Sequence, residues 1–125
     1  MILDTNAVSA FADGDPEVLR VASGVTTFSL PAVVLGEFRF GIARSRHRNR
    51  YVAWLEDFIS ASTVLVIDEE TSRHYADLRE SLRVTGRPIP SNDTWIAALA
   101  IQHRLPVLSR DEHLHGIEGV RAIAW

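Results

Sequence analysis

The chain contains no cysteine and no lysine. The first absence excludes thiol catalysis, iron–sulfur clusters, disulfide staples and Cys-ligated zinc, and it fits a reducing compartment. The second excludes Schiff-base chemistry on a lysine amine, the Walker-type phosphate grip and lysine-dependent phospho-aspartyl chemistry. All 13 basic side chains are therefore arginine, set against 16 acidic ones for a formal net charge of −3. Long apolar runs are missing too: none approaches the roughly 18 residues of a membrane span. The opening MILDTN lacks the basic stretch and apolar core of a signal peptide. A cytoplasmic protein that stays off membranes is expected. No internal repeat, low-complexity segment or linker divides the chain, so residues 1–125 read as one domain. A domain of this length buries roughly two-thirds of its unfolded surface and needs no staple.

Apolar and turn-forming residues alternate in a strand–helix rhythm. Ile2 to Thr5 reads as a buried strand, Ala7 to Ala12 as a short helix, and Asp15-Pro16 as cap and first position of a helix to Ala22. Thr26 to Leu30 is β-branched and apolar, hence a strand, and Pro31 opens a helix over AVVLGEFRFGIARS. A second helix is expected over Tyr51 to Ile59. Thr63 to Ile67 reads as the clearest buried strand, with Asp68 capping a helix over Glu69 to Val84. After the GRPIPSN loop, Asp93 to Arg104 is apolar almost all round, the mark of a buried helix. Pro106 to Ser109 is a strand, Asp111 to His115 a helical turn, and Arg121 to Trp125 a last strand. This order predicts an α/β fold: helices in layers on both faces of a mainly parallel sheet of about five strands, whose C-terminal edge holds the ligand.

Four acids bear on that edge. Asp4 ends the first strand, Asp111 follows the strand PVLS, Asp93 opens the apolar helix, and Glu37 lies within the helix after Pro31. Glu37 shares a track with Val33 and Gly41, beside Val34, Phe38 and Ile42, so it needs a cation, a proton or a strong donor. An ion pair with an arginine would satisfy it equally well. Taken singly, Asp4, Asp93 and Asp111 fit an Asx-turn, a helix-dipole partner and a cap. Together, four converging carboxylates demand neutralisation. Oxygen-only donors favour Mg²⁺, with Mn²⁺ as substitute, over zinc, and no H-E-x-x-H motif competes. The histidines 47, 74, 103, 113 and 115 are scattered, and His113 and His115 read as surface residues. Carboxylate-held Mg²⁺ at such an edge acts on phosphates.

In this order the residues resemble the PIN-domain nucleases, in particular the short VapC-type toxins of bacterial toxin–antitoxin pairs. The resemblance rests on MILDTN, on VVLGEFRFGI, on NDTWIAALA after GRPIP, and on LSRDEHLHGIEGVRAIAW, which together span the chain. It implies a PIN-like three-layer α/β/α sandwich and an endonuclease that cuts RNA with one or two Mg²⁺ or Mn²⁺ ions. Asp4, Glu37, Asp93 and Asp111 fall on the family's acidic quartet, with Asp4 and Asp93 as the direct ligands expected first. Thr5 matches a supporting hydroxyl, and Leu114 stands where an aromatic residue is common. The resemblance also implies a homodimer and a cognate VapB-type antitoxin that blocks the site and links the pair to operator DNA.

Two arginines, Arg87 before the Asp93 helix and Arg110 beside Asp111, are placed to hold substrate phosphate. Arg44 to Arg50 holds four arginines in seven residues and reads as a solvated connection able to meet phosphates or an acidic partner. Trp54, Trp95 and Trp125 are expected to pack, and Val8, Phe11 and Leu19 to face either the core or a partner. Two other readings compete. A receiver-like phospho-aspartyl domain also sets acids at strand ends, but it needs the missing lysine. A catalytically silent PIN-fold module acting in an antitoxin complex would have no use for all four costly carboxylates.

Overall fold

The computed structural model describes residues 1–125. Five short strands, β1 (Ile2–Leu3), β2 (Ser29–Pro31), β3 (Thr63–Leu65), β4 (Val107–Leu108) and β5 (Ala122–Ile123), form one sheet in the order β3-β2-β1-β4-β5. Every pairing is parallel. Six helices complete the α/β/α sandwich: α1 (Thr5–Ala12), α2 (Pro16–Val21), α3 (Ala32–Ile42), α4 (Arg48–Ser60), α5 (Glu69–Val84) and α6 (Ser91–His103). Helices α1 to α4 pack mainly among themselves, and α5 packs along α6.

The order reverses at β1, with β2 and β3 stepping to one side and β4 and β5 to the other. Loops leaving β1 and β4 diverge there, which opens a crevice at their C-terminal ends. The register pairs Ile2 with Val107 and Leu3 with Leu108, so Asp4 and Ser109 emerge side by side.

Local chemistry sets most boundaries. Asp4 leaves β1 and caps α1, accepting from the Thr5 amide at 2.7 Å. Asp15 accepts from the Glu17 amide and Pro16 takes the first helical position, where its missing N–H costs nothing. Asp68 and Thr71 form a reciprocal capping box at α5. Several spans differ from expectation at their ends: Thr5 opens α1 rather than closing β1, α3 stops at Ile42, and α6 begins at Ser91. The second strand is shorter and includes Pro31, whose extended backbone then leads into α3. Helix α4 starts at Arg48 rather than Tyr51, so the basic segment supplies its first turn. The turn expected over Asp111 to His115 is present, closed by bonds from the Leu114 amide to the Asp111 carbonyl and from the His115 amide to the Glu112 carbonyl.

The TVLVI run is not a buried strand. β3 is an edge strand of three residues, and Val64, Val66 and Ile67 are exposed. An apolar run does not distinguish a central strand from an edge strand, because that depends on what pairs with its outer side. The core lies on the inner strands: Ile2, Leu3, Leu30, Val107 and Leu108 are fully buried, as are Val8, Val34, Leu55, Ile96 and Leu99 on the helices. Phe11 packs edge-on against Phe28 and beside Phe58, and Trp54 stacks on Phe58 with centroids 4.8 Å apart. Leu19 is exposed, so the expected apolar face of the first helices divides between core and solvent.

Candidate active site

Asp4 is nearly fully buried and has three donors: the Thr5 amide, the Asn6 side-chain amide at 3.0 Å and the Ser109 hydroxyl at 2.6 Å. The same Ser109 oxygen accepts from the Asp111 amide at 2.9 Å, tying the start of the β4 loop to Asp4. Thr5, next in sequence, turns its hydroxyl the other way and donates to Glu37 Oε2. Asn92 donates to Glu37 Oε1 at 2.6 Å. Its neighbour Asp93 lies 3.1 Å from His113 Nδ1, which lies 3.1 Å from Asp111 Oδ1 as well.

These contacts form a ring. Read around it, Glu37, Thr5, Asp4, Ser109, Asp111, His113 and Asp93 follow one another, and Asn92 returns to Glu37. The four carboxylates expected at the sheet edge are thus brought together from a strand end, a strand-following loop, a helix start and the middle of α3. Glu37 pairs with no arginine; a hydroxyl and an amide hold it, and it is half-buried, at the margin of the buried stripe of Val34, Phe38 and Ile42.

The electrostatics carry the cost of that convergence. Burial raises the Asp4 carboxyl above its ordinary value, and the charges of Asp111 and Glu37 add to the rise against the Ser109 and Thr5 hydrogen bonds. Burial also raises Asp93, followed by the charges of Asp111 and Asp4, with His113 opposing. Both carboxyls are disfavoured as anions by low dielectric and like charge together. The donor set can hold a metal ion: ligand atoms of Asp93, Asp111 and His113 lie within 4.8 Å of one another, and Asp4 couples electrostatically to both acids.

The residues sequence reasoning missed are the connectors. His113 is exposed, as expected, but sits between two acids, whereas His115 is half-buried with Nε2 3.0 Å from the Ser109 carbonyl. Asn6, Asn92 and Ser109 each adjoin an acid or stand two positions from one, and that adjacency is the only signal that marks them.

Arg87 and Arg110, expected to hold phosphate, are engaged elsewhere. Arg87 donates to the carbonyls of His115 at 2.6 Å and Gly116 at 3.2 Å. Gly116 has φ +82°, and a Cβ there would meet Arg87 Nη1 at 3.0 Å, so glycine permits this approach. Arg110 donates from Nε to the Trp125 carbonyl at 3.2 Å and lies over the Trp125 ring at 4.4 Å, with Asp15 3.8 Å away. Of the other tryptophans, Trp95 stacks on Tyr75 with centroids 3.8 Å apart.

Residues 1–120 match the PIN domain family. The chain belongs to that family. Among its relatives, a VapC ribonuclease, Y4jK, of Sinorhizobium fredii is 32% identical over 121 residues, covering 89% of this chain and 86% of the relative. Of the solved structures, DNA-bound VapBC from Salmonella typhimurium superposes with a TM-score of 0.86 at 28% identity, covering 99% of this chain and 96% of that one. VapBC-5 of Mycobacterium tuberculosis, from the VapBC family of toxin–antitoxin systems, gives 0.76 at 31% identity, with 99% and 97% covered. The PIN fold agrees with the switch point at β1 and β4. No helix is long and apolar enough to cross a membrane.

Proposed function

We propose that this PIN-domain protein is a metal-dependent endoribonuclease and the toxin of a VapBC-type toxin–antitoxin pair. The observation that carries the reading is the ring of four carboxylates at the switch point, with the His113 imidazole set between two of them. Relatives named as VapC ribonucleases and VapBC toxin–antitoxin complexes support the substrate and partner classes. On this reading the chain hydrolyses RNA phosphodiesters, forms a homodimer, and is held by a VapB-type antitoxin through which it meets DNA.

Asp4 and Asp93 would hold Mg²⁺ or Mn²⁺ directly, with Asp111 and Glu37 completing the site. Bound there, the ion would polarise the scissile phosphate and offset the charge that develops on the leaving oxygen. The chain does the rest. Ser109, Asn6 and the Thr5 amide fix Asp4 so that its carboxylate need not reorganise. Thr5 and Asn92 hold both Glu37 oxygens, which keeps that carboxylate in place as an acceptor for a proton of the attacking water. We assign Arg87 and Arg110 to shaping the loop around Asp111, since each would have to leave its protein partners to reach a phosphate.

The test is incubation of purified, antitoxin-free protein with total RNA and Mg²⁺ or Mn²⁺, beside EDTA and Asp4→Asn controls, with the cut ends mapped. Discrete cuts that need both the ion and Asp4 are expected. Folded protein that binds Mn²⁺ yet leaves every RNA intact would overturn the enzyme reading and leave a silent binding module.

A further inference from the structure

His113 is exposed, yet one nitrogen of its ring is turned to the acids. Its Nδ1 lies 3.1 Å from Asp93 Oδ2 and 3.1 Å from Asp111 Oδ1. Only the contact with Asp93 has the direction of a hydrogen bond. Asp111 Oδ1 is taken up by the His113 amide, which donates to it at 2.9 Å. A ring nitrogen carries at most one proton. Pointed at Asp93, that proton leaves the close approach to Asp111 with no hydrogen between the two atoms.

We propose that His113 is a metal ligand: Nδ1 binds the divalent ion of the acidic ring together with Asp93 and Asp111, and this nitrogen makes the site prefer Mn²⁺ to Mg²⁺. The proposal rests on the metal-dependent reading above and adds the residue that selects the ion. The spacing supports it. Donor atoms about 2.1 Å from one shared ion, at right angles to one another, stand about 3 Å apart. Both Nδ1 separations have that value, and all three donor atoms lie within 4.8 Å of one another. The ring is also held in place without an ion. The Asp111 carboxylate accepts the His113 amide, the Leu114 amide bonds the Asp111 carbonyl, and Leu114 itself is fully buried. The ligand set is therefore assembled beforehand.

The other ring nitrogen fits the same role. His113 Nε2 makes no hydrogen bond to the protein, so it can keep the ring proton and give it to water, as ligating imidazoles do. His115 cannot replace it, because its Nε2 is turned to the Ser109 carbonyl at 3.0 Å. The choice of ion follows from donor chemistry. The oxygen-only set expected from the sequence suits Mg²⁺ and Mn²⁺ alike. An imidazole changes the balance. Mg²⁺ takes oxygen and gives up water reluctantly, whereas first-row divalent ions accept nitrogen, with affinity rising from Mn²⁺ to Cu²⁺. A histidine that merely offset the charge of the acids would compete with every ion and select none.

The test is pulsed electron paramagnetic resonance of Mn²⁺ bound to protein carrying ¹⁵N-histidine. A directly bound nitrogen gives a hyperfine coupling that carboxylates and water cannot give. Wild type should show the coupling. His113→Gln, whose side chain can still donate to Asp93, should lose it. In calorimetric titrations the same variant should weaken Mn²⁺ by at least about tenfold, since losing even a partner of a ligand costs that much. Its affinity for Mg²⁺ should stay close to that of wild type. Bound Mn²⁺ without ¹⁵N coupling would overturn the proposal, as would coupling that survives in His113→Gln. Tighter Mn²⁺ binding by the variant would also overturn it and make His113 a competitor of the ion. RNA cut in Mn²⁺ by protein that shows no coupling would remove the ligand and keep the nuclease. Coupling in protein that cuts no RNA would keep the ligand and remove the nuclease.

Discussion

The Thr5 hydroxyl donates to Glu37 Oε2 across 32 positions of sequence, joining the first turn of α1 to the middle of α3. The Thr5 amide meanwhile donates to Asp4. One residue therefore fixes two of the four acids, and their spacing depends on it. Thr5→Ala removes only the hydroxyl. Groups that orient metal-holding carboxylates typically contribute about 10- to 100-fold in activity or metal affinity. RNA cleavage should fall by that order, Thr5→Ser should recover most of it, and the melting temperature should barely change. A Thr5→Ala protein as active as wild type would show that Glu37 needs no such support.

Asp93→Asn separates the cost of the site from its use. Burial, followed by the charges of Asp111 and Asp4, raises the Asp93 carboxyl, and burial raises Asp4. An acid raised in the folded state contributes stability that is fully present below its ordinary value of 3.8 and lost as pH rises through the raised value. At neutral pH, without metal, both anions therefore oppose folding. Asp93→Asn should melt higher than wild type in EDTA and should cut no RNA. Mn²⁺ should raise the wild-type melting temperature by binding the folded state, and should move the variant far less. A variant that melts lower in EDTA and responds fully to Mn²⁺ would return Asp93 to a helix-dipole role.

What could be read from the sequence was local. Asp15-Pro16 and Asp68 announce their helices because cap and capped amide lie within three residues of each other. The all-round apolar pattern marked α6, whose residues from Ile96 to Ala100 are buried without a break. The four acids could be picked out because a carboxylate is costly wherever a chain turns inward. Their connectors could not: Asn92 reaches Glu37 across 55 positions, Ser109 reaches Asp4 across 105, and His113 meets Asp93 across 20. A polar residue's role is set by its partner, and no periodicity encodes a partner that distant. The edge position of β3 was hidden for the same reason, since it depends on the order of strands in the sheet.

Leu114 departs from the aromatic residue common at its position, yet it is fully buried. It sits between His113 and His115, on the loop that carries Asp111. Truncating a buried leucine costs about 3 kcal/mol through lost transfer energy and the cavity left behind. Leu114→Ala should lose about that much in urea unfolding. It should also weaken Mn²⁺ binding, because the loop's anchor and the Asp111–His113 pair are three residues apart or fewer. Full Mn²⁺ affinity in a destabilised Leu114→Ala protein would mean that Ser109 and Arg87 hold the loop without it.

Arg87 distinguishes two jobs for an arginine near an acidic site. Its guanidinium donates to the His115 and Gly116 carbonyls, which clamps the 111–116 loop to the segment between α5 and α6. A phosphate contact would release counterions, and its loss would lower the salt dependence of RNA binding by about one unit of slope. A clamp has no such signature. Removing hydrogen bonds from a charged group instead costs about 1–2 kcal/mol of stability when the contacts are solvent-exposed. Arg87→Ala should therefore lose stability on that order and cleave more slowly as the Asp111 loop loosens, while the slope of log affinity against log salt stays as in wild type. A flatter slope with unchanged stability would place Arg87 on the RNA backbone instead.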